Sequence, residues 1–251
     1  VDGQQRSLAL AKAKNQSIAV PVIGFVSDDL EAQREQFILV NKARPLPKRL
    51  IDELLPEVSA LLPRDLAVRQ LPSALCEMLN KDSGSPFFEL IKRESNAKGG
   101  PGIVADSALI EAMRLSLKSP SGALGQYKRG GDGTDANGMY EALVLYWQAV
   151  RIAFPDAWGK PPTQSRLMHS AGIRAMGALM DQIMLRTDGA SDRSAAVTAI
   201  LKRLAPHCHW TTGRWDHINL VWNEVQSTSQ HISKLTEHLM HLERDLAKGG
   251  A

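Results

Sequence analysis

From residue 106 onward the chain repeats one pattern, apolar residues three and four apart, and that spacing admits amphipathic helices and little else. Over 106–118 the apolar positions are Ala108, Leu109, Ala112, Met113 and Leu117. Met139, Leu143, Tyr146, Trp147 and Val150 share one side of a helix predicted over 135–154, which Pro155 stops. Ile173, Met176, Leu179, Met180 and Ile183 do the same over 170–186, and a shorter helix follows over 195–204. Ile232, Leu235, Leu239 and Leu242 mark the last helix over 230–246, whose His231, His238 and His241 are expected mostly on its solvated side.

The start of the chain reads differently. Ile18 to Val26 is almost continuously apolar, which predicts a strand covered on both faces. A short helix over 6–14 precedes it; a second follows, capped by Asp28-Asp29 and ending at Asn41, with Leu30, Phe37, Ile38 and Val40 offered to the core. Further helices are expected over 50–59 and 65–80, where Cys76 reads as a small core residue. The predicted class is therefore α+β, a mixed unit over 1–95 and a mainly helical unit over 96–251. Because Val1 reads as the end of a strand, earlier strands of the mixed unit are expected to precede it.

Val1-Asp2-Gly3-Gln4-Gln5-Arg6 joins that strand end to the first helix. A turn of this kind aims backbone N–H groups at whatever lies beyond the strand. Gly3 permits close approach of an anion, Gln4 and Gln5 are neutral donors, and Arg6 is a permanently charged fork suited to phosphate. An ordinary strand-to-helix turn can carry the same residues, so the turn alone leaves both readings open.

These residues also carry a resemblance. Asp2-Gly3-Gln4-Gln5-Arg6, followed by Leu8-Ala9-Leu10, Val20-Pro21-Val22-Ile23 and a helix ending Phe37-Ile38-Leu39-Val40-Asn41, is similar to the DGQHR-domain family, a branch of the ParB/sulfiredoxin-like fold. Its members accompany bacterial systems that place sulfur in the DNA backbone or insert 7-deazaguanine bases, and Gln5, where many members have His, resembles the 7-deazaguanine branch. The resemblance covers about residues 1–60. It implies ATP binding, with Mg2+ as a possible companion, at Gly3, Gln4, Gln5, Arg6 and Asn41, with Asp2, Gln5 and Arg6 in catalytic roles. A tRNA-guanine-transglycosylase-like partner enzyme would then perform the base exchange. The alternative it implies is a non-enzymatic DNA-binding regulator of a modification operon. Nuclease activity, a third possibility, finds no cluster of acidic metal ligands near the motif.

Lys42, Arg44, Lys48 and Arg49 form a basic cluster just after the helix carrying Asn41, either a solvated face or a contact surface for DNA or for nucleotide phosphates. The net charge of +3 permits nucleic-acid contact without requiring it. Residues 87–91 are expected to be a strand paired with 102–104, since the family places a hairpin there. Gly130-Gly131-Asp132-Gly133, after Lys128 and Arg129, lacks the spacing of a phosphate loop and reads as a connector. His207-Cys208-His209 with His217 reads as a buried turn rather than a metal site, and Trp210 and Trp215 around Arg214 read as an anchor for the last helix before a base-stacking platform. Two cysteines far apart exclude a disulfide framework and point to a reducing compartment, the cytoplasm. No leader and no membrane span are expected.

Overall fold

The computed structural model describes residues 4–13, 24, 26–41, 47–59, 62–93, 102–128 and 134–249. The elements are α1 (Gln4–Ala11), α2 (Leu30–Asn41), α3 (Lys48–Leu54), α4 (Arg64–Lys81), β1 (Ile91–Lys92), β2 (Val104–Ala105), α5 (Asp106–Lys118), α6 (Ala136–Ala153), α7 (Ser170–Arg186), α8 (Arg193–Leu204), β3 (Arg214–Trp215), β4 (Leu220–Val221) and α9 (Ser229–Lys248). Helices dominate, and the described strands are four two-residue pieces, an arrangement compatible with the α+β class.

Helix starts follow the sequence. Asp29 accepts from the Glu31 amide at 2.9 Å to open α2, Asp135 accepts from Gly138 at 2.8 Å to open α6, and Asp192 accepts from Ala195 at 2.9 Å to open α8. Each carboxylate satisfies an amide that the first turn leaves without a partner.

The helical stripes become one core. Met139, Leu143, Tyr146, Trp147 and Val150 on α6, Ile173, Met176, Leu179, Met180 and Ile183 on α7, and Leu235 and Leu239 on α9 are all buried in it. Leu75, Cys76 and Leu79 of α4 belong to the same cluster. The division expected near residue 95 therefore does not separate two cores, because α4 packs on α5 and α6 from the far side of it.

Three expectations are corrected. Residues 86–90 are turns, not strand; the pairing is confined to β1 and β2, and it is parallel, Ile91 opposite Val104 and Lys92 opposite Ala105, where a hairpin would be antiparallel. Phe87 instead wedges between Trp147, which it meets edge-on, and Trp158, which it meets tilted, each ring centroid 5.1 Å away, so burying an aromatic outweighs extending the strand. Leu30 is 57% exposed, and among the described residues the buried hydrophobic core begins at Leu55. Most of the strand expected over 18–26 lies outside the described residues; Gly24 and Val26, which are described, are exposed and not extended into a sheet. Finally, His238 is only partly exposed: its ring packs on His217 at 4.8 Å and edge-on to Trp215 at 5.8 Å. Trp210 and Trp215 are buried against each other at 4.9 Å, which removes them from base stacking and makes them the seat of α9.

Candidate functional site

α1 begins at Gln4, so Gln4, Gln5 and Arg6 are its first three residues and their amides belong to the turn that has no helical acceptors. No acidic residue occupies that turn, whereas Glu31 stands in the first turn of α2 and Asp106 in that of α5. The partial positive charge at the start of α1 is thus not neutralised from within its own first turn. Asp2 and Gly3 lie outside the described residues, and for Gln4, Gln5, Arg6 and Asn41 the structure describes the helical backbone alone. Asn41 is the last residue of α2.

Of the basic cluster, Lys42 and Arg44 lie outside the described residues. Lys48 is the exposed first residue of α3. Arg49, half-buried beside it, turns inward, its Nε 3.5 Å from Oδ1 of the fully buried Asp106. Arg129, Gly130, Gly131, Asp132 and Gly133 are outside the described residues, and Lys128 and Thr134 bridge across the gap in antiparallel fashion.

Sequence reasoning did not foresee the ionic cluster under α3, α4 and the start of α5. Asp52, fully buried, is gripped by both forks of Arg69, with Nε donating to Oδ1 at 2.8 Å and Nη2 to Oδ2. Arg93, just past β1, donates from Nη2 to Glu77 Oε2 at 2.6 Å, and Lys81 Nζ sits 2.6 Å from the other oxygen of Glu77. Asp106 accepts from the Ser107 amide at 2.5 Å, while its Oδ2 and the Nε and Nη1 of Arg93 are buried without partners. Burial raises the Asp106 carboxyl, an effect opposed by the Ser107 amide and by Arg93 and Arg49. Cys76 sits in the field of the same charges, and burial pushes its thiol up to about 12, which makes it an inert core residue. In the sequence, Asp52 stands between Ile51 and the Leu54-Leu55 pair, and an acid flanked by apolar residues on a short helix is the one signal that pointed here.

Among the described residues no group of three or more His, Cys, Asp or Glu side chains is placed to hold a metal ion. His207 and His209 flank Cys208 without converging with His217 on a common point; His209 packs edge-on to Trp215 at 5.5 Å, and His217 stacks on His238. No described helix is long and apolar enough to cross a membrane. No family model matches this chain, and neither a curated protein nor a solved structure is significantly similar to it.

Proposed function

We propose that the chain is a nucleotide-binding and hydrolysing accessory protein of a bacterial DNA-modification system, acting in the cytoplasm beside a tRNA-guanine-transglycosylase-like enzyme that inserts 7-deazaguanine bases into DNA. The observation that supports it is the start of α1: a helix opening directly after Asp2-Gly3, with Gln4, Gln5 and Arg6 in its first turn and no acid to occupy the exposed amides. A cation at that position is unfavourable by a few tenths of a kcal/mol unless an anion lies beside it. A ParB/sulfiredoxin-like arrangement would bring Asn41, at the end of α2, to the same turn.

ATP suits such a turn. Its phosphates would be held by the amides after Gly3 and by the guanidinium of Arg6, and Asp2 would hold Mg2+ or the attacking water, with Gln5 orienting that water. In the reaction water displaces ADP from the terminal phosphorus, the P–O bond to ADP breaks, and the proton released passes to solvent.

The test is nucleotide binding and phosphate release by the wild-type chain and by Arg6→Ala and Gly3→Val. Arg6→Ala abolishes both with no loss of thermal stability in the absence of nucleotide, because it removes a cation from a helix start. Gly3→Val abolishes binding and also lowers stability. Normal turnover by Arg6→Ala would instead favour the DNA-binding regulator, for which exposed Lys48 is the described contact.

A further inference from the structure

Away from α1, a groove of about 500 Å³ runs between α5 and α7 and is closed on one side by Met240 of α9. That volume falls in the range of roughly 300–1,000 Å³ typical of small-molecule sites. Leu115, Ala178, Leu185 and Met240 give it apolar walls, and Leu115 and Leu185 stay 43% and 64% exposed at its rim. Arg174 and Asp181 also line it, on the same face of α7 as Ala178 and Leu185.

Among the described residues neither charge has a counter-ion. Arg174 makes no ion pair or hydrogen bond among the described residues, and its Nε is buried without a partner. Glu111, which its charge reaches, is engaged by both forks of Arg114, at 2.8 and 2.7 Å. Asp181 accepts two hydrogen bonds, from the Ser116 hydroxyl at 2.5 Å and the Ala123 amide at 2.8 Å, and both go to Oδ1. Ser116 in turn accepts from the Leu124 amide at 3.2 Å, so the carboxylate is held in one orientation. Its Oδ2 has no protein partner, and burial holds the carboxyl above the usual carboxylate range. Seven residues apart on one helix, Arg174 and Asp181 stand two turns, about 10 Å, from each other along the axis, too far to neutralise one another. Half-buried charges that do not pair within a fold are costly unless a partner supplies the opposite charge.

We propose that this groove binds a small dipolar molecule: a protonated amine or guanidine on Asp181, a carboxylate or phosphate on Arg174, and an apolar body along Ala178 between Leu115, Leu185 and Met240. The site is independent of the nucleotide turn. It uses no residue of α1 or α2, and its ligand supplies the two counter-ions that the described residues do not provide.

Calorimetry and thermal shift on the full chain with ω-aminooctanoate test this, because the extended chain of that molecule spans the same two-turn separation. Octanoate, octylamine and β-alanine serve as controls lacking the amine, the carboxylate and the length. Expected is saturable binding of ω-aminooctanoate with a rise in Tm, and binding about tenfold weaker for each control, the worth of one charge-assisted contact. Arg174→Gln removes the advantage over octylamine, and Asp181→Asn, which keeps the acceptor for Ser116 and Ala123, removes the advantage over octanoate. The proposal is overturned if ω-aminooctanoate gives no shift, if it binds no better than octanoate and octylamine, or if the variants bind it as the wild type does. The ligand series on the wild-type protein decides the matter even if a variant does not fold.

Discussion

Asp52 shows how much one residue's environment can change its meaning. Its carboxylate has no exposure at all and survives only because Arg69, itself 12% exposed, meets it with two parallel hydrogen bonds. Removing one partner of such a pair costs more than removing both, since a lone buried charge is left behind. We therefore expect Arg69→Met to destabilise the chain by about 3–5 kcal/mol in urea denaturation, and the double variant Asp52→Leu/Arg69→Met to recover most of that loss. A double variant as unstable as Arg69→Met would show that the pair fixes the α3–α4 geometry rather than merely tolerating burial.

At the scale of the elements, α5 and α7 cross at close range. A Cβ built on Gly177 would lie 2.7 Å from the Cβ of Ala112 and 4.0 Å from the Trp147 ring, so the glycine sets the distance between the two helices. Helix propensity by itself favours alanine here by about 1 kcal/mol. Packing opposes it, because neither methyl has a rotamer to move into and the helices must part. Gly177→Ala is predicted to lose about 1–2 kcal/mol net, measured by chemical denaturation. A gain in stability would mean that the crossing relaxes freely. The same widening would loosen the hold of Ser116 on Asp181 across these helices, linking the packing of the crossing to the groove below it.

For the whole molecule, the single core ties α9 to α4 through α7, α5 and α6. Buried Glu243 on α9 reinforces the seam, pairing with Arg186 of α7, whose Nε is 2.8 Å from Oε1, and accepting from Gln182. His238 on the same helix contributes to the acid response, as does His169 at the start of α7, which burial and Arg166 also lower. Burial lowers the proton affinity of His238 first, and the neighbouring His217, His209 and His241 add to the effect, while Glu237, Asp245 and Lys234 line the adjoining groove. A folded-state value below the ordinary 6.5 means that the unfolded chain takes the proton first. The stability this imidazole supports is complete above 6.5 and is lost as pH falls from there through the lower folded-state value. Tryptophan fluorescence and far-UV circular dichroism should therefore report one shared unfolding midpoint that drops on mild acidification, with the drop reduced in His238→Phe. Separate midpoints for the two signals would break the one-core account.

Local periodicity settled which segments are helices. The stripes on α6 and α7 are the buried stripes of the core, and the acid cap of α2 stands at Asp29, within the Asp28-Asp29 pair that read as its cap, because both effects depend on neighbours within one turn. The helix expected from Arg6 begins two residues earlier, at Gln4, since the polar residues that open it act within one turn. What lay beyond the sequence depended on distant neighbours. The parallel sense of β1 and β2, the wedging of Phe87 between Trp147 and Trp158, the burial of Asp52 and Asp106, and the stacking of His238 were each decided by segments far along the chain. Arg174 and Asp181 share one face of α7, and no motif in the sequence marks them. Only the tertiary structure, by setting α5 and Met240 across from that face, brings the two charges into one groove in which, among the described residues, neither meets an opposite charge.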